Sequence, residues 1–197
     1  MTENKAKPKI NGSMSVEEAL ANRRSHRDFL ADAISFDQLL QILWAAYGTS
    51  SGGLRTTPSA GATYPLEIYA VVGNVEGIES GVYRYIPDEH RITRTASGDV
   101  RTKLCKAALD QKMAAKAPAS VFFSAVFDRT TKRYGERGVQ YVHVEVGHAA
   151  QNVYLQAEAL GLGTCAIGAF TDSSVKKILN LPKNEEPLYL MPIGYCT

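Results

Sequence analysis

Residues 140–160 read QYVHVEVGHAAQNVYLQAEAL, free of proline and stopped by Gly161. Such a run predicts the longest helix of the chain. Its apolar positions Val142, Val144, Val146, Ala149, Ala150, Val153, Tyr154, Leu155 and Ala157 go almost all the way round at 3.6 residues per turn. A helix of this kind has to be covered on several sides. In a chain of 197 residues, which buries about 70% of its unfolded surface in one core, that places it at the centre of a single domain or in a large subunit contact. An isologous pairing of two copies would bury the faces that one shell leaves open.

The other elements follow from local signals. SVEE (15–18) is a capping box that opens a helix ending near Arg23 or Arg24, and SFDQ (35–38) opens a second, stopped by Gly48. Strands are expected at 66–72, 81–86, 91–95, 120–127, 164–167 and 188–195, helix at 99–117 and 173–179, and a flexible tail over 1–13 before one domain at 14–197. This is an α+β pattern with no repeat or linker.

Composition excludes several classes. A formal net charge of +2 argues against nucleic-acid and anionic-membrane partners. Three cysteines without a CxxC pair fit neither a disulfide framework nor a four-ligand zinc site, so no metal is expected and a reducing, cytoplasmic setting fits. The first residues lack the apolar stretch of a signal peptide, and no run of about 18 apolar residues could span a bilayer. His143 and His148 sit five residues apart, about 140° round a helix, and share no ligand face.

Two loops and one basic cluster carry what chemistry there is. RRSHRDF (23–29) sets Arg23, Arg24 and Arg27 around Ser25. These cations either complement a helix C-terminus or hold an oxyanion, since a guanidinium forks onto phosphate. PSAGATYP (58–65) is a turn whose side chains are small enough for bare backbone to meet a flat ligand, and GLGTCAIGAF (161–170) again ends in small residues. No GxSxG, Walker A or GxGxxG motif is present.

Taken in order, RRSxRxF, RTTPSAGATYPLE, GHAAQN, ALGLGTCAIGAF and MPIGY resemble the flavin-dependent nitroreductase superfamily, and most nearly its SagB-type branch, across roughly 14–195. The resemblance implies a nitroreductase-like α+β fold, a mostly antiparallel sheet flanked by helices, in an intertwined homodimer with FMN in each interface cleft. It implies that Arg23, Arg24, Ser25 and Arg27 hold the phosphate, ribityl chain and pyrimidine edge, with Arg27 near N1 and O2. Pro58, Ser59, Ala60 and Gly61 would come from the other subunit, and Ala166, Ile167, Gly168 and Ala169 would lie against the ring. The activity implied is transfer of hydride from NADH or NADPH to the flavin and onward to a small acceptor such as a nitroaromatic or quinone. A dehydrogenase acting on an azoline-like heterocycle is the enzymatic alternative, and a non-catalytic flavin-binding module the alternative from another class.

Two departures bear on this. Similar proteins often add a Lys or Arg to the phosphate just after the final strand, where this sequence reads GYCT (194–197), so the N-terminal cluster, or another cation such as Arg55, is expected to meet that charge. Azoline oxidases resemble this chain but carry a Lys-Tyr pair as proton acceptor where it has Arg133-Tyr134, and arginine stays protonated. Tyr64, Phe170 and Tyr134 are the aromatic candidates for the substrate side.

Overall fold

The computed structural model describes residues 7–197. Among these, six strands, β1 (Leu66–Val72), β2 (Gly81–Ile86), β3 (Arg91–Ser97), β4 (Ala119–Ala125), β5 (Gly163–Thr164) and β6 (Glu186–Gly194), form one sheet in the order β3-β2-β1-β4-β6-β5. Every neighbouring pair is antiparallel. Helices α1 (Val16–Asn22), α2 (Phe36–Tyr47), α3 (Arg101–Ala107), α4 (Met113–Lys116), α5 (Asp128–Tyr134), α6 (Arg137–Ala159) and α7 (Asp172–Leu179) flank it. This is the α+β, mostly antiparallel architecture expected from the sequence.

β1 and β4 are buried along their whole length, which is why they read as unbroken apolar runs: helices cover both faces of the sheet. Alternation sorts their side chains between two clusters. Leu66, Ile68, Ala70 and Val72 pack with α2 and α6, whereas Tyr69 and Val71 pack with residues of α3 and α7. The β1–β4 register runs from Leu66 opposite Ala125 to Val72 opposite Ala119 without a slip.

Both capping boxes form. Ser15 Oγ accepts the Glu18 N–H while Glu18 accepts the Ser15 N–H, and Ser35 and Gln38 do the same, each cap contributing about 1 kcal/mol. Of the expected tail, residues 1–6 lie outside the described residues, and Lys9 is clamped through its N–H and C=O to the Gln41 side chain. The helix expected over 99–117 is two, α3 and α4, because Leu109 and Asp110 both take left-handed φ. α5 has the polar sequence DRTTKRY, without the apolar stripe that would announce a helix. Strand 164–167 shrinks to β5 and a single bridge from Ile167 to Leu190.

Within the single chain α6 buries one face rather than the several sides its pattern calls for, and one stripe of it faces outward. Val139 and Val144 are 42% and 49% exposed, with His143, Gly147 and His148 also exposed between them and the inner face of Val142, Val146, Ala149 and Val153. No described helix is long and apolar enough to cross a membrane.

Candidate functional site

The basic cluster follows α1 and is pinned from below by the C-terminal half of α6. The Arg24 N–H meets Glu158 Oε1 at 3.3 Å, the His26 N–H donates to Thr164 O at 2.9 Å, and Ser25 bridges to Thr164 of β5. Its four expected ligands then separate. Arg24 turns back and donates to the carbonyls of Ala21, Asn22 and Arg23, so its guanidinium satisfies the end of α1. The Arg23 guanidinium lies 5.2 Å from the Tyr154 ring centroid. Ser25 Oγ is 3.1 Å from the Tyr154 hydroxyl, and among the described residues Arg27 donates to the Ser25 carbonyl alone, at 3.4 Å. Burial pushes the nearby Cys165 thiol up to about 11, against which the Arg27 charge acts.

The 166–169 stretch meets this cluster through the same tyrosine. Ala166 N–H donates to the Tyr154 hydroxyl at 2.9 Å. Ile167 is buried and spends both backbone groups on Leu190, so it anchors the segment without offering a contact. Gly168 and Ala169 are exposed, and among the described residues their N–H groups donate to nothing. They are the two amides of the stretch free to meet a ligand. Tyr154, which nothing local in the sequence marks out from the apolar residues around it, is thus the hub joining Ser25, Arg23 and Ala166.

The loop at 58–61 lies elsewhere. Asn152 donates to Thr56 O and Thr57 Oγ1, Ser59 Oγ accepts the Tyr64 N–H, and Arg133 Nη1 donates to Gly61 O. Ser59 and Ala60 face Glu145. Glu145 and Tyr154 are nine residues apart on α6, which is about 13 Å along the axis and half a turn round it. Within one chain, then, the loop and the basic cluster occupy opposite sides of the helix.

Glu145 is 2% exposed. Burial pushes its carboxyl above the usual carboxylate range, although the Tyr47 O–H, which donates to Oε1 at 2.5 Å, opposes this together with Ser59 and the Ala60 amide. Oε2 has no partner in hydrogen-bond geometry among the described residues. Burial and the facing carboxyl push Tyr47 upward as well. A glutamate inside the apolar pattern of α6 gave no sequence signal beyond its own polarity.

Other expectations resolve by partner. Arg55, the alternative phosphate cation, already has its charge matched by Asp88, 2.6 Å from Nη1, and stacks on Tyr64. Phe170 packs on Phe122 in the core, and Tyr64 meets Tyr47 edge-on. Tyr134 stands against the 58–61 loop, where a Cβ on Gly61 would come within 2.5 Å of its hydroxyl, and the Tyr64 N–H donates to Ser59 Oγ of the same loop. Among the described residues these segments offer two guanidiniums without a carboxylate, Arg23 and Arg27, the Ser25 hydroxyl and the free Gly168 and Ala169 amides, a donor set that suits a phosphorylated planar cofactor.

The sequence profile of the Nitroreductase family matches residues 20–195. A Methanocaldococcus jannaschii protein assigned to the nitroreductases is 50% identical over 180 residues, 91% of this chain and 90% of that protein. The microcin B17-processing protein McbC of Escherichia coli is 28% identical over 155 residues, 75% of this chain and 57% of that protein, so the chain spans little more than half of this relative. Among solved structures, a nitroreductase-type protein of Anabaena variabilis superposes with a TM-score of 0.84 at 28% identity, over 92% of this chain and 38% of that one. The NADPH:FMN oxidoreductase of Vibrio harveyi, complexed with NAD+, shares the fold with a TM-score of 0.65 at 22% identity, over 92% of this chain and 68% of that one. The profile covers nearly the whole chain and the sheet and helices agree with it: the chain belongs to the nitroreductase family of oxidoreductases.

Proposed function

We propose that the protein is an FMN-dependent oxidoreductase, a single domain over 14–197 acting as a cytoplasmic homodimer, with NADH or NADPH as reductant and a small acceptor of nitroaromatic or quinone type. The observation that carries this reading is the division of the candidate residues across α6. The cluster at Tyr154 and the loop at Glu145 face opposite sides of one helix, so one chain does not close both on one ligand, whereas a two-fold axis sets each cluster against the partner's loop. The exposed stripe of Val139, Val144 and Gly147 supplies an apolar surface for that pairing.

Bound FMN would supply two-electron hydride chemistry between a nicotinamide and the acceptor. The chain's own part is to hold and bias it. Arg23 and Ser25 hold the phosphate end, Arg27 adds positive charge that favours the reduced, anionic form, and the Gly168 and Ala169 amides present donors to the ring. Tyr154 keeps these two segments in register.

A second reading, oxidation of an azoline-like heterocycle, is favoured by the likeness to the microcin-processing protein. Arginine at position 133 weighs against it, since that side chain does not take up a proton. The test is a visible spectrum of the purified protein after incubation with FMN, followed by anaerobic mixing with NADH and NADPH. Bleaching of the bound flavin by either nucleotide supports the oxidoreductase reading. Bound flavin that only a heterocyclic substrate reduces supports the second, bound flavin that no donor reduces leaves a binding module, and absence of bound flavin removes all three.

A further inference from the structure

The arginines divide into two groups by partner. From Arg55 to Arg129 in chain order, every arginine has a carboxylate within ion-pair distance. Among the described residues, Arg23, Arg24, Arg27, Arg133 and Arg137 have none. The first three belong to the cofactor cluster and to the end of α1. Arg133 and Arg137 belong to neither.

These two are held in an ordered array. The Arg133 guanidinium lies 5.4 Å from the Tyr134 ring, Tyr134 meets Tyr141 edge-on at 5.1 Å, and the Arg137 guanidinium lies 5.8 Å from the Tyr141 ring. Gly135, at φ 57° and ψ −145°, breaks α5 from α6 in a conformation other residues avoid. That break brings residues from both sides of it into one ladder. At its near end the ladder closes on the 58–61 loop: Arg133 Nη1 donates to Gly61 O at 3.2 Å, and a Cβ on Gly61 would come within 2.8 Å of the same nitrogen. A solvated patch needs neither a glycine-only contact nor aromatic faces beneath its cations.

We propose that this ladder is the substrate-side subsite of the flavin cleft and selects a substrate that joins a planar ring to a negatively charged group, a carboxylate, sulfonate or phosphate. Guanidiniums with unused N–H groups take such an anion in a forked contact, and tyrosine faces and edges take the ring. The proposal rests on the reading that the 58–61 loop borders the flavin. The anion belongs either to the electron acceptor or to the phosphates of the reductant.

The test uses the FMN-loaded protein and the probes benzoate and benzamide, equal in shape and different in charge, titrated by calorimetry. The wild type is expected to favour benzoate, and the ratio of the two affinities is expected to fall at least tenfold in Arg133→Ala/Arg137→Ala and to recover in part in Arg133→Lys/Arg137→Lys. Two kinetic ratios identify the source: nitrobenzoate against nitrobenzamide for an anionic acceptor, and NADPH against the uncharged 1-benzyl-1,4-dihydronicotinamide for the reductant. An unchanged benzoate-to-benzamide ratio overturns the proposal and leaves a solvated patch. Loss of FMN affinity in the alanine pair also overturns it, assigning the ladder to the cofactor phosphate. A wild type that retains no FMN removes the flavin reading and this subsite with it, an outcome that flavin absorbance tells apart from the other two.

Discussion

The Tyr154 hydroxyl accepts the Ala166 N–H at 2.9 Å and lies 3.1 Å from Ser25 Oγ, so one side chain of α6 ties together segments from opposite ends of the sequence. Removing only that oxygen, in Tyr154→Phe, keeps the ring beneath Arg23 and leaves the Ala166 N–H without a partner, at about 1–3 kcal/mol. FMN affinity is expected to fall about tenfold or more, and fluorescence titration measures it. Unchanged affinity with lowered thermal stability would make Tyr154 a structural tie alone.

Arg23 and Arg24 are neighbours with different fates. Arg23→Ala is expected to weaken FMN binding by about 2 kcal/mol, the loss of one charge-assisted fork. Arg24→Ala, which removes the side chain that caps α1, is expected to lower stability by about 0.3–1 kcal/mol and leave FMN affinity within about twofold. Equal effects of the two variants on FMN titration would contradict the division.

In the proposed function Arg27 acts on the reduced state. With bound FMN, Arg27→Gln is expected to lower the two-electron midpoint by some tens of millivolts, since about 30 mV corresponds to 1.4 kcal/mol. Potentiometry on the FMN-saturated variant reads this directly, and a wild-type midpoint would move Arg27 away from the pyrimidine edge.

Glu145 is expected to make stability depend on pH. Its carboxyl is raised in the folded protein above the unfolded value of 4.5, so its contribution is full below pH 4.5 and is lost as pH rises through the folded value. Glu145→Gln does not titrate, and Gln still accepts the Tyr47 O–H. Melting temperatures from pH 4 to 8 should therefore show the variant gaining on the wild type as pH rises. Parallel curves would mean that Glu145 ionises as freely folded as unfolded.

The outward stripe of α6 bears on assembly. In the proposed homodimer Val144→Lys, at a position 49% exposed in the single chain, is expected to set like charges and lost apolar area into the two-fold contact. Sedimentation should show a smaller species that also binds FMN more weakly. An unaltered dimer would place the contact elsewhere.

Features whose signal is local were legible in the residues alone. Two capping boxes placed α1 and α2, the unbroken apolar runs at β1 and β4 announced strands covered on both faces, and the apolar pattern of α6 marked the long helix that packs with α2 on one face of the sheet. The motif order also pointed to the family. Tertiary structure alone decided which candidates meet: Arg23 and Arg24 are indistinguishable in sequence, yet one finds Tyr154 and the other its own helix end. It likewise left Arg133 and Arg137 without carboxylates while pairing Arg55 with Asp88. A side chain's partner depends on elements distant along the chain, and residue type and spacing carry no record of which distant group will stand opposite.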